Sequence, residues 1–374
     1  MKYYIIAGEA SGDLHGSNLI KGLKQEDGQA EFRFWGGDLM AQASGTEPVR
    51  HYRDGAVMGL TDVIAKAGRL LGNMRFCRKD ILEWAPDVVI LIDYPWFNMK
   101  IAEFCHNKGI RVFYYIAPKT WASREARNRK LRTFVDRLFI VFPFEIPYFS
   151  ERDIPFVYKG NPLVDAVDGH DFRSVSEDRY IAVLAGSRKG EISRMMPVCM
   201  DTARLLLGKE EFKDFRFIIA GAPGRSMRDY RIPDDLKDKV SLVFGRTYDV
   251  LKGAAAAIVN SGTASLEAAL IGTPQVVCWS ASGLTFWAAR HILRVQDHIK
   301  YISLGNLCID RHAFRELIQD DFNAGEVAQE VSRLVLDDAY RSRMLKDYDA
   351  IRESLGGSGA SVAVASAVID ELRK

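Results

Sequence analysis

The sequence reads as an α/β protein made of two doubly wound domains. Three observations predict this. Short apolar β-runs alternate with helical stretches along most of the chain. The alternation breaks at a stretch rich in glycine, proline and charge near 160–178, then restarts. The length, 374 residues, exceeds what one hydrophobic core usually organises. Short strands that are apolar throughout belong to parallel sheets covered on both faces. Such sheets collect ligands at the carboxyl ends of their strands, so the loops after strands are where chemistry is sought.

In the first half, strands are expected at 3–7, 31–35, 87–92, 110–116, 138–142 and 155–159, with helices near 13–25, 62–83, 98–107 and 123–134. Strands resume at 180–184, 215–220, 240–244, 255–259 and 275–279. The alanine-rich segment before Asn260 has helical composition, but glycine flanks it and Asn260-Ser261-Gly262 ends it, so it reads as a short buried strand. Beyond about 325 the chain is helical, interrupted at Gly356-Gly357-Ser358-Gly359. The expected division is 1–165, 175–345 and a helical tail at 346–374, whose place on either domain is left open.

Bulk composition excludes several classes. With 48% hydrophobic and 27% charged residues the chain is soluble and globular in type. A net charge of +2 gives no general attraction to nucleic acid or membrane, so such contacts need local patches. Five dispersed cysteines without CxxC read as reduced thiols in the cytoplasm. Seven scattered histidines without HExxH argue against a zinc site. The chain enters a strand at once, so no signal peptide is expected, and no apolar run reaches the ~18 residues of a membrane span.

The opening turn, Gly8-Glu9-Ala10-Ser11-Gly12-Asp13-Leu14-His15-Gly16, follows the first strand. An ordinary turn needs only a cap, which Ser11 or Asp13 supplies. Two acids, a serine and a histidine in one turn therefore point to the mouth of a cleft. A second strand runs into Asp93-Tyr94-Pro95-Trp96-Phe97-Asn98. Asp93 there suits a general base for a sugar hydroxyl, or a helix cap. Asn98 suits a substrate hydroxyl or the same helix.

Three glycine-marked strand ends lie in the second half. Gly186-Ser187-Arg188 precedes a helix, and Arg188 suits phosphate. Gly245 ends another strand. Ser261-Gly262-Thr263-Ala264-Ser265 opens a helix whose unbonded N–H groups suit a pyrophosphate, with Glu267 one turn on for ribose hydroxyls. Any one loop has a plain capping explanation; three in one domain point to a nucleotide. Neither a dinucleotide fingerprint nor a Walker loop is present.

Two stretches mix apolar and basic residues. Residues 56–80 interleave Val57, Met58, Leu60, Val63, Ile64, Leu70, Leu71 and Met74 with Lys66, Arg69, Arg75, Arg78 and Lys79, a pattern that suits an anionic membrane surface. Residues 119–137 are rich in lysine and arginine and suit an anion more weakly. In 284–291 the aromatics read as core, while Arg290 or His291 could face the cleft. Nucleic acid is not expected.

Taken together, AGEASGDLHG (7–16), AVMGL (56–60), IDYPWFN (92–98), PKTWASR (118–124), PFE (143–145), GNPLVD (160–165), AGSRKGEI (185–192), SGTASLE (261–267), TFW (285–287) and YISLGNL (301–307) resemble the lipid-A-disaccharide synthase family of glycosyltransferases. The resemblance implies the GT-B fold: two Rossmann-like domains with an interdomain cleft, acceptor in the first, UDP-sugar in the second, and a hinge at 160–178. It implies transfer of diacylated glucosamine from UDP to diacylglucosamine 1-phosphate. The product is the β-1,6-linked lipid A disaccharide of Gram-negative lipopolysaccharide. It also implies no metal or other cofactor, and a cytoplasmic enzyme peripheral to the inner membrane; a homodimer is left open. Asp93 is the expected base, with His15 or Glu9 as alternatives. Ser11, Asp13 and Asn98 are expected to orient sugar hydroxyls. Ser187, Arg188, Gly245, Ser261–Ser265 and Glu267 are expected to hold UDP, with His291 nearby. The chain departs from the family pattern at Trp96, Ser123, Ala185 and Gly305, where aspartate, tryptophan, proline and proline are common. Rival readings are a UDP-N-acetylglucosamine 2-epimerase, a lipid-linked N-acetylglucosamine transferase, and a non-catalytic UDP-binding protein at a membrane surface.

Overall fold

The computed structural model describes residues 1–55, 63–118, 120, 125–281 and 300–374. They form two compact units: Met1–Asp165 with Gly356–Lys374, and Ala166–Leu355.

In the first unit the described strands form a seven-stranded parallel sheet. They are β1 (Lys2–Ala7), β2 (Glu31–Gly36), β3 (Arg50–His51), β4 (Val88–Ile92), β5 (Val112–Tyr115), β6 (Arg137–Ile140) and β7 (Phe156–Tyr158), in the order β3-β2-β1-β4-β5-β6-β7. The connections carry α1 (Ala10–Glu26), α2 (Asp38–Ser44), α3 (Val63–Trp84), α4 (Pro95–Asn107), α5 (Glu125–Phe134) and α6 (Glu145–Ser150), with α7 (Pro162–Asp168) after the last strand. Tyr3–Ala7 of β1 and all of β4 are buried, as their unbroken apolar runs require. The chain steps outward from β1 to β2 and β3, returns to lay β4 beside β1, and steps outward the other way. This makes the β1/β4 junction a switch point, with Ala7 paired to Ile92 so that Gly8 and Asp93 leave the sheet side by side.

The second unit repeats the plan with β8 (Tyr180–Leu184), β9 (Arg216–Gly221), β10 (Val240–Phe244), β11 (Ala256–Asn260), β12 (Gln275–Trp279) and β13 (Glu316–Ile318), ordered β10-β9-β8-β11-β12-β13 and all parallel. Its helices include α8 (Lys189–Leu207), α9 (Thr247–Lys252), α10 (Thr263–Ile271), α11 (Leu304–Ile309), α12 (Ala324–Leu336) and α13 (Asp338–Leu355). Here the switch point is β8/β11, with Leu184 paired to Val259.

The tail divides differently from the expected boundary at 346. Helix α13 starts at Asp338 and buries Met344, Tyr348, Ile351 and Leu355 within the second unit. Helix α14 (Ala360–Arg373) packs along α1 in the first. Its start is capped by Asp165, which accepts from the Gly359 and Ser361 N–H groups at 2.5 and 2.7 Å. Its end is held by Arg137, which donates to Glu371 Oε2 through Nε at 3.0 Å and a terminal nitrogen at 2.7 Å. Arg137, placed by sequence in an anion-binding stretch, is therefore a fold contact. The expected linker also differs: α7 occupies its first part, and the coil after it is pinned to Asp249, which accepts from the Arg173 N–H at 3.0 Å.

Helix α3 is fixed to the sheet by one buried polar cluster. Tyr4 donates to Asp80 Oδ2 at 2.7 Å, Trp35 Nε1 donates to Tyr4 at 2.9 Å, and Arg33 donates to both Asp80 oxygens at 2.8 and 2.5 Å. Burial works to raise the Asp80 pKa, but the hydrogen bonds from Arg33 and Tyr4 win and hold it below the ordinary value. Asp80→Ala would strand the Tyr4 hydroxyl in the core and leave Arg33 unpaired. It is expected to lower stability by about 2–4 kcal/mol, read as a fall in denaturation midpoint, with Tyr4→Phe losing about 1 kcal/mol.

Candidate active site

At the β1/β4 edge the sequence constellation comes together, but burial divides its labour. Glu9 sits at the N-cap position of α1 in extended conformation and is exposed, as is Ser11. Asp13 is buried and its carboxylate is occupied: it accepts from the backbone N–H groups of Gly37, Leu39 and Met40 at 2.7, 3.1 and 3.1 Å. Expected to touch a sugar, Asp13 instead caps the start of α2, because a buried carboxylate must be paid in hydrogen bonds. His15 is buried, and its Nδ1 finds no partner among the described residues. Burial lowers its pKa to about 4, so the ring is neutral near pH 7.

Across the junction the backbone is strained. Asp93 and Tyr94 take consecutive left-handed conformations, φ 45° and 49°. Each such step by a non-glycine residue costs on the order of 1–3 kcal/mol and persists only where surroundings enforce it. Asn98 is the enforcer. It is fully buried, and its Nδ2 lies within hydrogen-bonding distance of the carbonyls of Ile6, Ile92 and Asp93 at 3.4, 3.2 and 2.8 Å. Tyr114 adds a bond from its hydroxyl to the Asp93 carbonyl at 2.6 Å. Asn98, expected on substrate, thus serves the backbone, while Asp93 stays half-buried at the sheet edge. The Tyr94 ring lies over Gly8 so closely that a Cβ there would sit 2.4 Å from it. Trp96 is 53% exposed beside this turn.

At the β8/β11 edge, Gly186 turns with φ 103°, and Glu191 folds back beneath it. Glu191 accepts from the Ser187 and Arg188 N–H groups at 3.1 and 3.2 Å and from the Arg188 guanidinium at 3.1 Å. The two N–H groups just before α8 are therefore taken by the chain's own carboxylate, while the Arg188 side chain is 70% exposed. The start of α10 differs. Thr263 is exposed, and no hydrogen bond from its N–H or that of Ala264 is found among the described residues. Ser261 bonds to the Ile302 carbonyl through its hydroxyl at 3.1 Å, and the fully buried Ser265 bonds to the Gly262 carbonyl at 2.8 Å, so both shape the turn. Glu267 lies one turn in, on the Thr263 side of the helix. It is half-buried, burial raises its pKa, and its Oε1 accepts from the Tyr248 hydroxyl at 3.0 Å. Gly245 lies exposed at the end of β10.

His291 lies outside the described residues, as do AVMGL, most of PKTWASR and TFW. On α3, Met74 is buried and Leu70 packs against the core, so these two expected membrane residues face the sheet. The outward side presents Leu71 and Leu82 with Arg75 and Lys79, while Phe76 packs beside Trp35 under the Arg50 guanidinium. Glu191, Tyr248 and Glu316 were not singled out from sequence. Glu316 accepts from the Ile302 and Ser303 N–H groups at 2.9 and 3.0 Å and from Asn306 at 2.9 Å, fixing the YISLGNL turn. Of the three, Glu191 carried a partial signal, an acid placed three residues after the cap position where it can accept from the cap N–H. Among the described residues, no cluster of three His, Cys, Asp or Glu side chains suits a metal, and no helix is long and apolar enough to cross a membrane.

Comparison with known proteins extends these features over the whole chain. Residues 3–366 match the family model described as lipid-A-disaccharide synthetase. Lipid-A-disaccharide synthases of Geobacter metallireducens and Geobacter sulfurreducens are each 36% identical over 381 residues, covering 99% of this chain and 97% of theirs. That of Syntrophus aciditrophicus is 35% identical over 380 residues, covering 99% and 97%. Among solved structures, UDP-GlcNAc 2-epimerase from Neisseria meningitidis bound to UDP-GlcNAc superposes with TM-score 0.70 at 12% identity, covering 99% of this chain and 100% of its own. The glycotransferase of kitacinnamycin superposes with TM-score 0.65 at 15% identity, covering 99% of each. At such identities they establish the fold, a two-domain α/β arrangement of GT-B type. The sequence matches carry the function: this chain belongs to the lipid-A-disaccharide synthase family and is a glycosyltransferase of that kind.

Proposed function

We propose that UDP-2,3-diacylglucosamine and 2,3-diacylglucosamine 1-phosphate are joined using Asp93 as general base, with acceptor at the β1/β4 edge and the UDP half of the donor at β8/β11. The observation that carries this is the convergence of the sequence constellations on the two switch points, where parallel sheets bind ligands. Asp93 takes the proton of the acceptor's primary hydroxyl. The oxygen attacks the anomeric carbon, the bond to UDP breaks, and configuration inverts. The strain held at Asp93 and Tyr94 favours Asp93 over its alternatives. His15 is a poor base, because the site that lowers its pKa resists the imidazolium that proton capture would create. Glu9 and Ser11, both exposed, suit acceptor hydroxyls.

The departing diphosphate gains negative charge. The start of α10, at Gly262, Thr263 and Ala264, offers N–H groups and the positive helix end, and Arg188 supplies an exposed cation. Glu267 accepts from ribose hydroxyls, and the Ser187 and Gly245 turns border the nucleotide. Asp13, Asn98, Ser261 and Ser265 act through the loops they hold. The outward side of α3, apolar and basic together, suits an anionic membrane surface where acylated substrates reside.

Incubating both acylated substrates with the enzyme is expected to yield the disaccharide phosphate and an equal amount of UDP by mass spectrometry, unaffected by a chelator. UDP-sugar turnover without acceptor would instead support epimerisation, and chelator sensitivity would assign the diphosphate charge to a metal. Asp93→Asn is expected to lower kcat by about 10²–10⁴ while leaving donor KM near wild type; near-normal turnover would exclude Asp93 as base. His15 supplies a pH test of a different kind. Its folded pKa, about 4, lies below the ordinary 6.5, so the unfolded chain takes up the proton first as pH falls. Stability should therefore drop between pH 6.5 and 4 by about 3 kcal/mol from this group. A His15→Gln variant should show a correspondingly shallower acid loss in denaturation midpoints.

A further inference from the structure

We infer that Tyr248 is a positioning residue for the donor: its hydroxyl orients the Glu267 carboxylate for the ribose and so sets preference for ribose over deoxyribose. The inference rests on the assignment of Glu267 to ribose given above. Helix α9 must carry the chain from the edge strand β10 back to the central β11, and this crossover lays it against α10. Tyr248, near the start of α9, thereby meets Glu267, and its hydroxyl lies 3.0 Å from Oε1. Burial raises the Tyr248 pKa, so the phenol keeps its proton and is the donor. With Oε1 engaged, no described residue donates to Oε2, which remains to accept from the ligand.

The ring is held in turn. His170 packs edge-on against Tyr248 with centroids 5.2 Å apart, and His170 Nε2 lies 2.9 Å from Asp249 Oδ1. Arg246 closes the arrangement, donating to Asp249 at 2.9 Å and to the Arg173 and Ser174 carbonyls at 3.0 and 3.1 Å. The ring is thus braced on its His170 side, and its hydroxyl ties one oxygen of the Glu267 carboxylate in place. Fixing the acceptor before binding reduces the ordering cost that ribose recognition must meet.

The test compares Tyr248→Phe, Glu267→Gln and the double variant. Measurements are donor and acceptor kinetics, calorimetric binding of UDP and 2′-deoxy-UDP, and thermal midpoints. Tyr248→Phe is expected to weaken UDP about tenfold, raise donor KM in parallel, leave acceptor KM unchanged, and narrow the gap between UDP and 2′-deoxy-UDP. Added to Glu267→Gln it should cost little more, because the two act as one unit. If Glu267→Gln weakens UDP and Tyr248→Phe does not, the inference about Tyr248 is overturned and the ribose assignment stands. If Glu267→Gln binds UDP like wild type, the ribose assignment itself falls. Equal losses toward donor and acceptor with a lowered thermal midpoint would reduce Tyr248 to a packing role and also overturn the inference.

Discussion

Where two parallel strands part at a switch point, buried backbone groups lose their ladder partners, and something in the chain must satisfy them. In the first unit this falls to the Asn98 amide, spread across the carbonyls of Ile6, Ile92 and Asp93. The remaining geometry of that edge follows from it. The strands end together, the chain is forced through left-handed steps at Asp93 and Tyr94, and the Tyr94 ring closes onto Gly8. An unsatisfied buried carbonyl would cost about as much as the strain it replaces. The second unit meets the same need with an anion, Glu191, which takes the N–H groups after β8.

These solutions constrain the chemistry. Glu191 takes the two N–H groups just before α8, whereas the N–H groups of Thr263 and Ala264 at the start of α10 have no such acceptor among the described residues. Asp13 likewise gives up its acceptor capacity to cap α2. What remains accessible at the first edge is Asp93, on a turn whose backbone is held from below by Asn98 and Tyr114, with Glu9 and Ser11 at the start of α1. A side chain on such a held turn loses little entropy on binding a ligand, which is how a rigid core lends precision to a surface group.

Helix α3 shows the same division across its width. One side is pinned through Asp80 to Tyr4 and Arg33, while the other carries apolar and basic side chains with no core to cover. A polar anchor on the inner side lets the outer side be apolar without the helix turning over to bury it. Apolar residues at helical spacing do not by themselves say which side is inside. Leu70 and Met74 faced the sheet, whereas Leu71 did not.

The amino-acid pattern alone determined the two α/β sheets and the loops that carry chemistry, because apolar strand runs and glycine-marked ends are local signals that need no partner to be read. It missed the two-residue β3, the three-residue β13 and the short α2, whose stability comes from neighbours. Motif spacing was sufficient to identify the family, since ordered short motifs over a whole chain are specific. Only the tertiary structure decided which polar residues are spent inside the fold. Asp13, Asn98 and Ser265 look in sequence like Asp93 and Ser11. For Asp13 and Asn98 the difference is a long-range backbone group that burial obliges them to satisfy, 24 to 27 residues away for Asp13 and 92 away for one Asn98 contact, while the buried Ser265 turns its hydroxyl to the Gly262 carbonyl.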